Sequence, residues 1–279
     1  MKILACLDAS PYAASVCNSA AWVAQRTDGR VELLHVIQRH DAVSDRHDLS
    51  GAIGLGVKSS LMEELARIGE EEGKLARQRG QMILDAAGER LADAGIRDVT
   101  LTHRHGGIVE TIIEREADAD VVIIGKRGAS SGFAADHIGS KVERVVRAST
   151  LPVLIAAREF QVPKRILFAF DGGASAVRAA EFLGSDRASA ELPVHLLTAG
   201  LDNAHNQREQ ERAEAMMPNR SVTRSIEAGE PEDLIRAEAR PDDLLVMGAY
   251  GHSRIRSLIV GSTTTAMIRT PGLSVLLFR

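Results

Sequence analysis

The sequence is poor in aromatic residues and in cysteine, and each shortage excludes a class of function. Only 3% of the 279 residues are Phe, Trp or Tyr, which leaves few platforms on which nucleic-acid bases could stack. The formal net charge of −4 also disfavours a protein that binds the phosphate backbone of DNA or RNA. We therefore predict no nucleic-acid partner. Two cysteines, Cys6 and Cys17, form no disulfide pattern, and we expect both to be structural thiols.

Long apolar runs are missing as well. No apolar run approaches the length of about 18 residues that a membrane helix requires. Met1 leads directly into a predicted strand, so we expect no secretory signal. These two features predict a cytoplasmic protein with no membrane partner. A content of 44% hydrophobic and 26% charged residues is typical of globular proteins, and the length favours two domains.

Motifs for metal binding and catalysis are also missing from the sequence. The nine histidines show no spacing with Cys or carboxylates that would predict zinc. There is no Gly-Lys-Ser/Thr phosphate loop, and GAIGLG at 51–56 lacks the order and the preceding strand of a dinucleotide motif. No nucleophile and general base can be paired from the sequence. We therefore predict no metal site and no efficient catalysis.

An internal repeat organises the chain. The segment KILACLDAS at 2–10 aligns with RILFAFDGG at 165–173, an offset of 163 residues. After the second strand of each copy the offset falls to 123, so the first repeat carries 40 additional residues. We predict one domain at residues 1–158 and a second, shorter domain at residues 163–279.

Each repeat alternates apolar runs with helical segments. Runs without strict alternation are typical of parallel strands that are buried on both faces. We therefore predict an α/β fold of two tandem, doubly wound domains, each with a five-stranded parallel sheet. A long helix at 57–94, broken near Gly69 or Gly73, accounts for the additional residues of the first repeat. The predicted strands are ILACLD, VELLHVI, VTLTHRH, VVIIG and VLIAA, followed by RILFAFD, VHLLTA, VTRSIE, LLVMG and SVLLF.

A glycine motif follows a buried-looking strand in each repeat. Residues 125–140 read GKRGASSGFAADHIGS, and residues 248–262 read GAYGHSRIRSLIVGS. Both are Gly-x-x-Gly followed by Gly-Ser, after ten residues in the first copy and nine in the second. Glycines leave backbone amides accessible to an anion, and the helix that begins at Gly-Ser favours phosphate at its amino terminus. The pair predicts two phosphate-binding loops and therefore a nucleotide ligand.

An aspartate ends the first strand of each repeat, at Asp8 and Asp171. Ligands of doubly wound sheets bind beyond the carboxyl ends of the strands, where a carboxylate can accept hydrogen bonds from a ribose or from an adenine amine. At Asp8 a capping role is the alternative, because Ser10 and Pro11 have the residue types of a helix N-cap and first helical position. For both glycine motifs the alternative is a turn that only lets strand and helix pack.

Together these residues resemble the universal stress protein family. Its nucleotide-binding members carry Gly-x2-Gly-x9-Gly-(Ser/Thr) after the fourth strand and an Asp at the end of the first. The second repeat has the full pattern, and the first repeat has it with a spacing of ten and with Lys141 after Gly-Ser. The resemblance covers nearly the whole chain, as a tandem two-domain member.

The resemblance implies flavodoxin-like domains of the adenine-nucleotide α-hydrolase type that bind ATP or another adenine nucleotide, with or without Mg²⁺. The implied nucleotide-binding residues of the second domain are Asp171, Ala199, Met247, Gly248, Gly251, His252, Gly261, Ser262, Thr263 and Thr264. Those of the first domain are Asp8, Val36, Gly125, Arg127, Gly128, Gly139, Ser140 and Lys141. The family further implies that the domains pair through their last strands, 152–157 and 273–278, and that two chains form a homodimer that covers those strand edges.

We therefore expect a cytoplasmic, ATP-binding regulator of the stress response that is not an efficient enzyme, although slow ATP hydrolysis is compatible with it. Two alternatives stay open. The segment FDGGAS at 170–175 faintly resembles the loop of ATP pyrophosphatases without its internal Asp, which would make the protein an adenylating enzyme that releases pyrophosphate. The longer spacing of the first glycine motif is also compatible with an interaction scaffold that binds no nucleotide.

Overall fold

The structure, a computed structural model, describes residues 1–38, 55–128, 140–249 and 261–279. For residues 55–61 and 140 it describes the backbone alone. In the described part of the chain, strands and helices alternate, and each predicted strand is present. The first half contains β1 (Lys2–Leu7), α1 (Ala13–Thr27), β2 (Arg30–Ile37), α2 (Leu55–Asp93), β3 (Val99–His105), α3 (Ile108–Glu116), β4 (Val121–Gly125), α4 (Ser140–Ala148) and β5 (Val153–Ala156). The second half contains β6 (Arg165–Ala169), α5 (Ala174–Ser185), β7 (Val194–Ala199), α6 (Ala204–Ala215), β8 (Val222–Glu227), α7 (Pro231–Glu238), β9 (Asp243–Gly248), α8 (Ser262–Arg269) and β10 (Ser274–Phe278).

The strands form one continuous sheet in the order β3-β2-β1-β4-β5-β10-β9-β6-β7-β8. Neighbouring strands are parallel within each half, which confirms the predicted doubly wound fold. The halves meet where β5 and β10 pair antiparallel, with Leu154 opposite Leu276. The predicted pairing of the last strands is therefore confirmed. Because β5 and β10 are paired on both sides, the expectation that a second chain would cover their edges is wrong; the edge strands are β3 and β8.

The core has two layers, one on each face of the sheet. Side chains alternate between the faces along each strand, so Ile3 joins one layer and Leu4 the other. Helices α1, α2, α5 and α6 cover the first layer, and α3, α4, α7 and α8 cover the second. Cys17 is buried in the first layer, and burial raises the pKa of the Cys6 and Cys17 thiols, which keeps both protonated.

Helix α2 runs without interruption over 39 residues, so the expected break near Gly69 or Gly73 is wrong. Most of the surrounding residues are Ala, Leu, Glu, Lys and Arg, whose high helix propensity offsets the cost of the two glycines. Ion pairs one turn apart, such as Lys74 with Glu70 at 2.8 Å, add further support. At 1.5 Å per residue the helix is about 58 Å long. Charged residues occur throughout it, and no helix in the described ranges is long and apolar enough to cross a membrane.

Candidate functional site

Two equivalent clefts open at the carboxyl ends of the strands. In each half the strand order reverses beside the first strand, between β1 and β4 and between β6 and β9. Loops leave such a point in opposite directions and create a crevice, where doubly wound domains bind ligands. The domain 1 cleft has a cavity of about 160 Å³ and the domain 2 cleft one of about 380 Å³.

The predicted site residues meet in these two clefts. The domain 1 cleft is lined by the predicted residues Asp8, Val36, Gly125, Arg127, Gly128 and Lys141. The domain 2 cleft is lined by the predicted residues Asp171, Ala199, Met247, Gly248, Gly261, Ser262, Thr263 and Thr264. Ser140 begins α4, where the backbone alone is described, and Gly139, Gly251 and His252 lie outside the described residues.

Asp8 and Asp171 adopt the same local geometry. Asp8 Oδ1 accepts a hydrogen bond from the Ser10 backbone N–H at 3.0 Å, and Asp171 Oδ1 accepts one from the Gly173 N–H at 2.8 Å. Each carboxylate therefore closes a tight turn two residues further along the chain. Both carboxylates line a cleft, Asp8 in domain 1 and Asp171 in domain 2.

Ser10 and Pro11 do not occupy the N-cap and first helical positions that the sequence suggests for them. Helix α1 begins at Ala13 with Tyr12 as its N-cap residue, and no side chain caps it. The Ser10 hydroxyl oxygen instead accepts a hydrogen bond from the Tyr12 N–H at 3.3 Å. The two successive turns at Asp8 and Ser10 delay the start of the helix, because each uses a backbone N–H that a helix would orient differently.

Packing explains part of the glycine motif. A Cβ added at Gly125 would lie 2.6 Å from the Tyr12 Cβ, and one added at Gly248 would overlap the Ser175 hydroxyl at the start of α5. The first glycine of each motif is therefore needed for close packing whether or not a ligand binds. Gly128 differs, because its added Cβ would lie 2.9 Å from an Asp8 carboxylate oxygen. That glycine lets the loop approach the carboxylate at the cleft.

The walls of the two clefts at the starts of α4 and α8 differ in charge. Lys141 and Val142 in domain 1 correspond to Thr263 and Thr264 in domain 2. Arg127 and Lys141 make the domain 1 wall cationic, and the Lys141 ammonium donates a hydrogen bond to the Gln38 side-chain oxygen. The described part of the domain 2 wall carries the hydroxyl groups of Ser262 and Thr263 instead. The buried Thr264 hydroxyl lies 3.3 Å from the carbonyl oxygens of Gly248 and Ala249, so it also holds the start of the glycine loop in place.

The apolar side of both clefts was not predicted from the sequence. Helix α3 supplies Ile108 and Ile112 to the domain 1 cleft, and α7 supplies Pro231, Leu234 and Ile235 to the domain 2 cleft. A signal was available, because HGGIVETII and AGEPEDLIR align at the same offset of 123 residues as the glycine motifs. These helices begin directly after the third strand of each half, at the same end of the sheet as the aspartates.

Lys126 does not belong to the domain 1 cleft, although it lies in the glycine motif. Its side chain is only 6% exposed, and its ammonium donates a hydrogen bond to the Thr270 carbonyl at 2.5 Å. Thr270 ends α8 in the other domain, where the helix dipole favours a cation. Burial, together with the charge of Arg127, lowers the pKa of Lys126 to about 8. Lys126 therefore links the glycine loop of one domain to a helix end of the other.

The lowered pKa of Lys126 predicts a pH-dependent stability. Between its folded pKa of about 8 and its unfolded value of 10.5, the folded state binds fewer protons, so this group makes unfolding less favourable as the pH rises. We expect the free energy of unfolding of the wild type, minus that of Lys126→Met, to increase by about 2 kcal/mol from about pH 7.5 to about pH 9.5. Urea denaturation at the two pH values measures it. The exposed Lys164→Met is the control, and a constant difference for Lys126→Met would contradict the assignment.

Comparison with known proteins gives the family. The profile of the Universal stress protein family matches residues 1–157 and 163–279. The universal stress protein Slr1230 of Synechocystis sp. is 35% identical over 285 residues, which cover 100% of this chain and 99% of that protein.

Two solved structures share the fold over almost the full chain. A universal stress protein from Archaeoglobus fulgidus superimposes with a TM-score of 0.69 at 20% identity, covering 100% of this chain and 98% of that one. A protein of unknown function from Pseudomonas aeruginosa gives a TM-score of 0.63 at 16% identity, covering 99% of this chain and 92% of that one. With both halves matched by the profile and a full-length relative at 35% identity, this chain belongs to the universal stress protein family as a tandem two-domain member.

Proposed function

We propose that this universal stress protein binds ATP or a related adenine nucleotide in its two clefts and acts as a cytoplasmic regulator of the stress response. One observation carries the proposal. A strand-end aspartate, a pair of glycines and the start of a helix surround a cavity at the strand-order reversal, and the same combination occurs in both domains. Packing requirements account for the first glycine of each motif, but not for the convergence of all these groups on one cavity.

The chemistry of the walls suits the parts of a nucleotide. Apolar side chains such as Leu34 and Ile112 in domain 1, or Leu197 and Ile235 in domain 2, suit the faces of an adenine ring. The strand-end carboxylate suits ribose hydroxyls. The N-cap residue of α8 is Gly261, which has no side chain to cap the helix, so the first backbone amides of α8 suit phosphate oxygens.

The domain 2 cleft is the stronger of the two candidates, because its cavity is larger and its glycine motif has the family spacing of nine residues. Charge-assisted hydrogen bonds contribute about 1.5–3 kcal/mol each, so three or four are enough for micromolar affinity after the cost of association. In domain 1 the Arg127 and Lys141 side chains would add direct charge attraction for phosphates. Mg²⁺ would enter with the nucleotide, held mainly by phosphate oxygens and water, because each described cleft lining contains a single carboxylate.

Titration calorimetry of the full chain with ATP and Mg²⁺ tests the proposal. We expect binding to the wild type, and about tenfold to a hundredfold weaker binding in domain 2 for Asp171→Ala, because one charge-assisted hydrogen bond is lost. Asp8→Ala should do the same to domain 1, and the double variant should lose both sites. Asp93→Ala, at the end of α2, is the matched control.

Three results would contradict the proposal. Unchanged affinity in both aspartate variants would show that the nucleotide binds elsewhere. The absence of any heat and of any thermal shift with ATP would favour an interaction scaffold that binds no nucleotide. Release of pyrophosphate in the presence of a candidate acceptor would favour an adenylating enzyme over a regulator.

A further inference from the structure

An exposed apolar stripe runs along the middle of α2. Leu65, Ile68, Leu75 and Met82 are 50%, 42%, 52% and 69% exposed. Their helical spacing predicts contact with the core, yet the residues of α2 that enter the core are Leu84, Ala87 and Leu91. Four large apolar side chains along one helix are therefore each close to half exposed or more. Isolated exposed leucines are common, whereas such a row is not.

The stripe lies on the side of α2 that faces away from the sheet. Met82 is two residues from Gly80, which packs on His35 and His103, and two residues from the buried Leu84. Two residues correspond to about 200° around a helix, which places Met82 opposite the packed face. Leu75 and Ile68 follow at intervals of seven residues and therefore stay on that outer side. A seven-residue repeat is the period with which two helices pair in a coiled coil.

We propose that the stripe is the surface on which two copies of this chain pair, with α2 lying antiparallel against α2 of the second copy. Two charged residues on the same side of α2 as the stripe favour a second copy of this chain as the partner. Glu72 and Arg79 occupy the positions four residues after Ile68 and Leu75, so they face the same way as the stripe. Both are exposed, and in the described part of the chain neither has an ion-pair partner.

The antiparallel register brings the opposite charges of the two copies close together. With a two-fold axis between residues 73 and 74, Leu65 lies opposite Met82 of the other copy, which is an apolar contact. Ile68 lies opposite Arg79 of the other copy, and Leu75 lies opposite its Glu72. Glu72 of one copy then lies one helical turn, about 6 Å along the axis, from Arg79 of the other. The two-fold axis produces this pair twice. A parallel pairing would instead set Glu72 against Glu72 and Arg79 against Arg79, which is unfavourable at core positions of a coiled coil.

Sedimentation equilibrium of the full chain at tens of micromolar tests the pairing. We expect the wild type to be dimeric and Ile68→Lys/Leu75→Lys to dissociate at least about tenfold more readily, because four lysines would enter the apolar contact. Both side chains are exposed, so the melting temperature should stay within about 2 °C. Leu201→Lys, at a 71% exposed leucine of domain 2, is the matched control and should remain dimeric.

Charge reversal tests the antiparallel register. Glu72→Arg and Arg79→Glu should each weaken the dimer about threefold to tenfold, and the double variant should restore it, because the pair re-forms with opposite polarity. A monomeric wild type would overturn the proposal, as would a dimer that the lysine variants leave intact. A dimer that the lysines disrupt and the double reversal does not restore would overturn the antiparallel register. None of these outcomes depends on nucleotide binding.

Discussion

Replacing Gly261 by Val is expected to weaken ATP binding in the domain 2 cleft about a hundredfold or more. Gly261 lines that cleft and precedes the first amides of α8. A branched side chain there would keep phosphate oxygens away from the amides, and one or two lost charge-assisted hydrogen bonds account for about 3 kcal/mol. The backbone at Gly261 has φ −52° and ψ 148°, a negative φ that does not require glycine. We therefore expect Gly261→Val to keep the fold and to lose most of its affinity for ATP in domain 2.

Calorimetry in an Asp8→Ala background isolates the domain 2 cleft for this measurement. Gly261→Ala is the graded control, because a single methyl group should reduce the affinity less than the isopropyl group of Val. Thermal unfolding of both variants should match that of the background protein. Wild-type affinity in Gly261→Val would contradict the binding of phosphate at the start of α8. A large loss of thermal stability would show instead that this position matters for folding.

Replacing Arg165 by Met is expected to lower the free energy of unfolding by about 3–5 kcal/mol. The Arg165 guanidinium donates hydrogen bonds to both carboxylate oxygens of Asp243, at 2.9 and 2.7 Å, and to the Glu238 carboxylate at 2.7 Å. Asp243 is only 4% exposed, so removal of its partner would leave a buried and uncompensated charge. These hydrogen bonds also raise the pKa of Arg165, which keeps the guanidinium charged at every accessible pH.

The chain offers a matched control one residue away. Lys164 pairs with Asp242 at 3.1 Å, but the Lys164 side chain is 77% exposed. Lys164→Ala should therefore cost less than about 1 kcal/mol, since solvent screens such a pair. Urea denaturation followed by circular dichroism compares the two variants. Equal losses of unfolding free energy in the two variants would show that burial does not determine the contribution of Arg165. Partial recovery of stability in Arg165→Met/Asp243→Asn would support the explanation by a buried, uncompensated charge.

The fold could be predicted from the sequence because its signals are local. The apolar runs of all ten strands and the alternating helices each depend on residues that are close in the chain. The repeat is a comparison of two such local patterns, one at Asp8 and one at Asp171. The family resemblance added the pairing of the last strands. The unbroken course of α2 past Gly69 and Gly73 was not predicted, because a glycine cost of about 1 kcal/mol each is too small to decide the outcome without its neighbours.

The candidate site was predicted in part, for a related reason. The aspartates and glycines occur in short motifs, whereas the α3 and α7 walls contribute ordinary apolar residues such as Ile112 that resemble core residues in a sequence. The contact of Lys126 with Thr270 joins residues of different domains, so no local pattern reports it. The same holds for Gly125 and Gly248, whose packing on α1 and α5 becomes evident when those helices are in place.

The sequence by itself determined the two-domain α/β fold, its repeat and the types of residue that line each cleft. This was possible because the patterns typical of strands and helices involve residues that are neighbours in the chain. Tertiary structure alone decided which side chains face a cavity, which face the other domain and which face solvent. Leu75 and Leu84 have the same residue type on the same helix, yet one is 52% exposed and the other is buried. The difference arises because Leu84 faces the sheet, whereas Leu75 lies on the side of α2 that faces away from it.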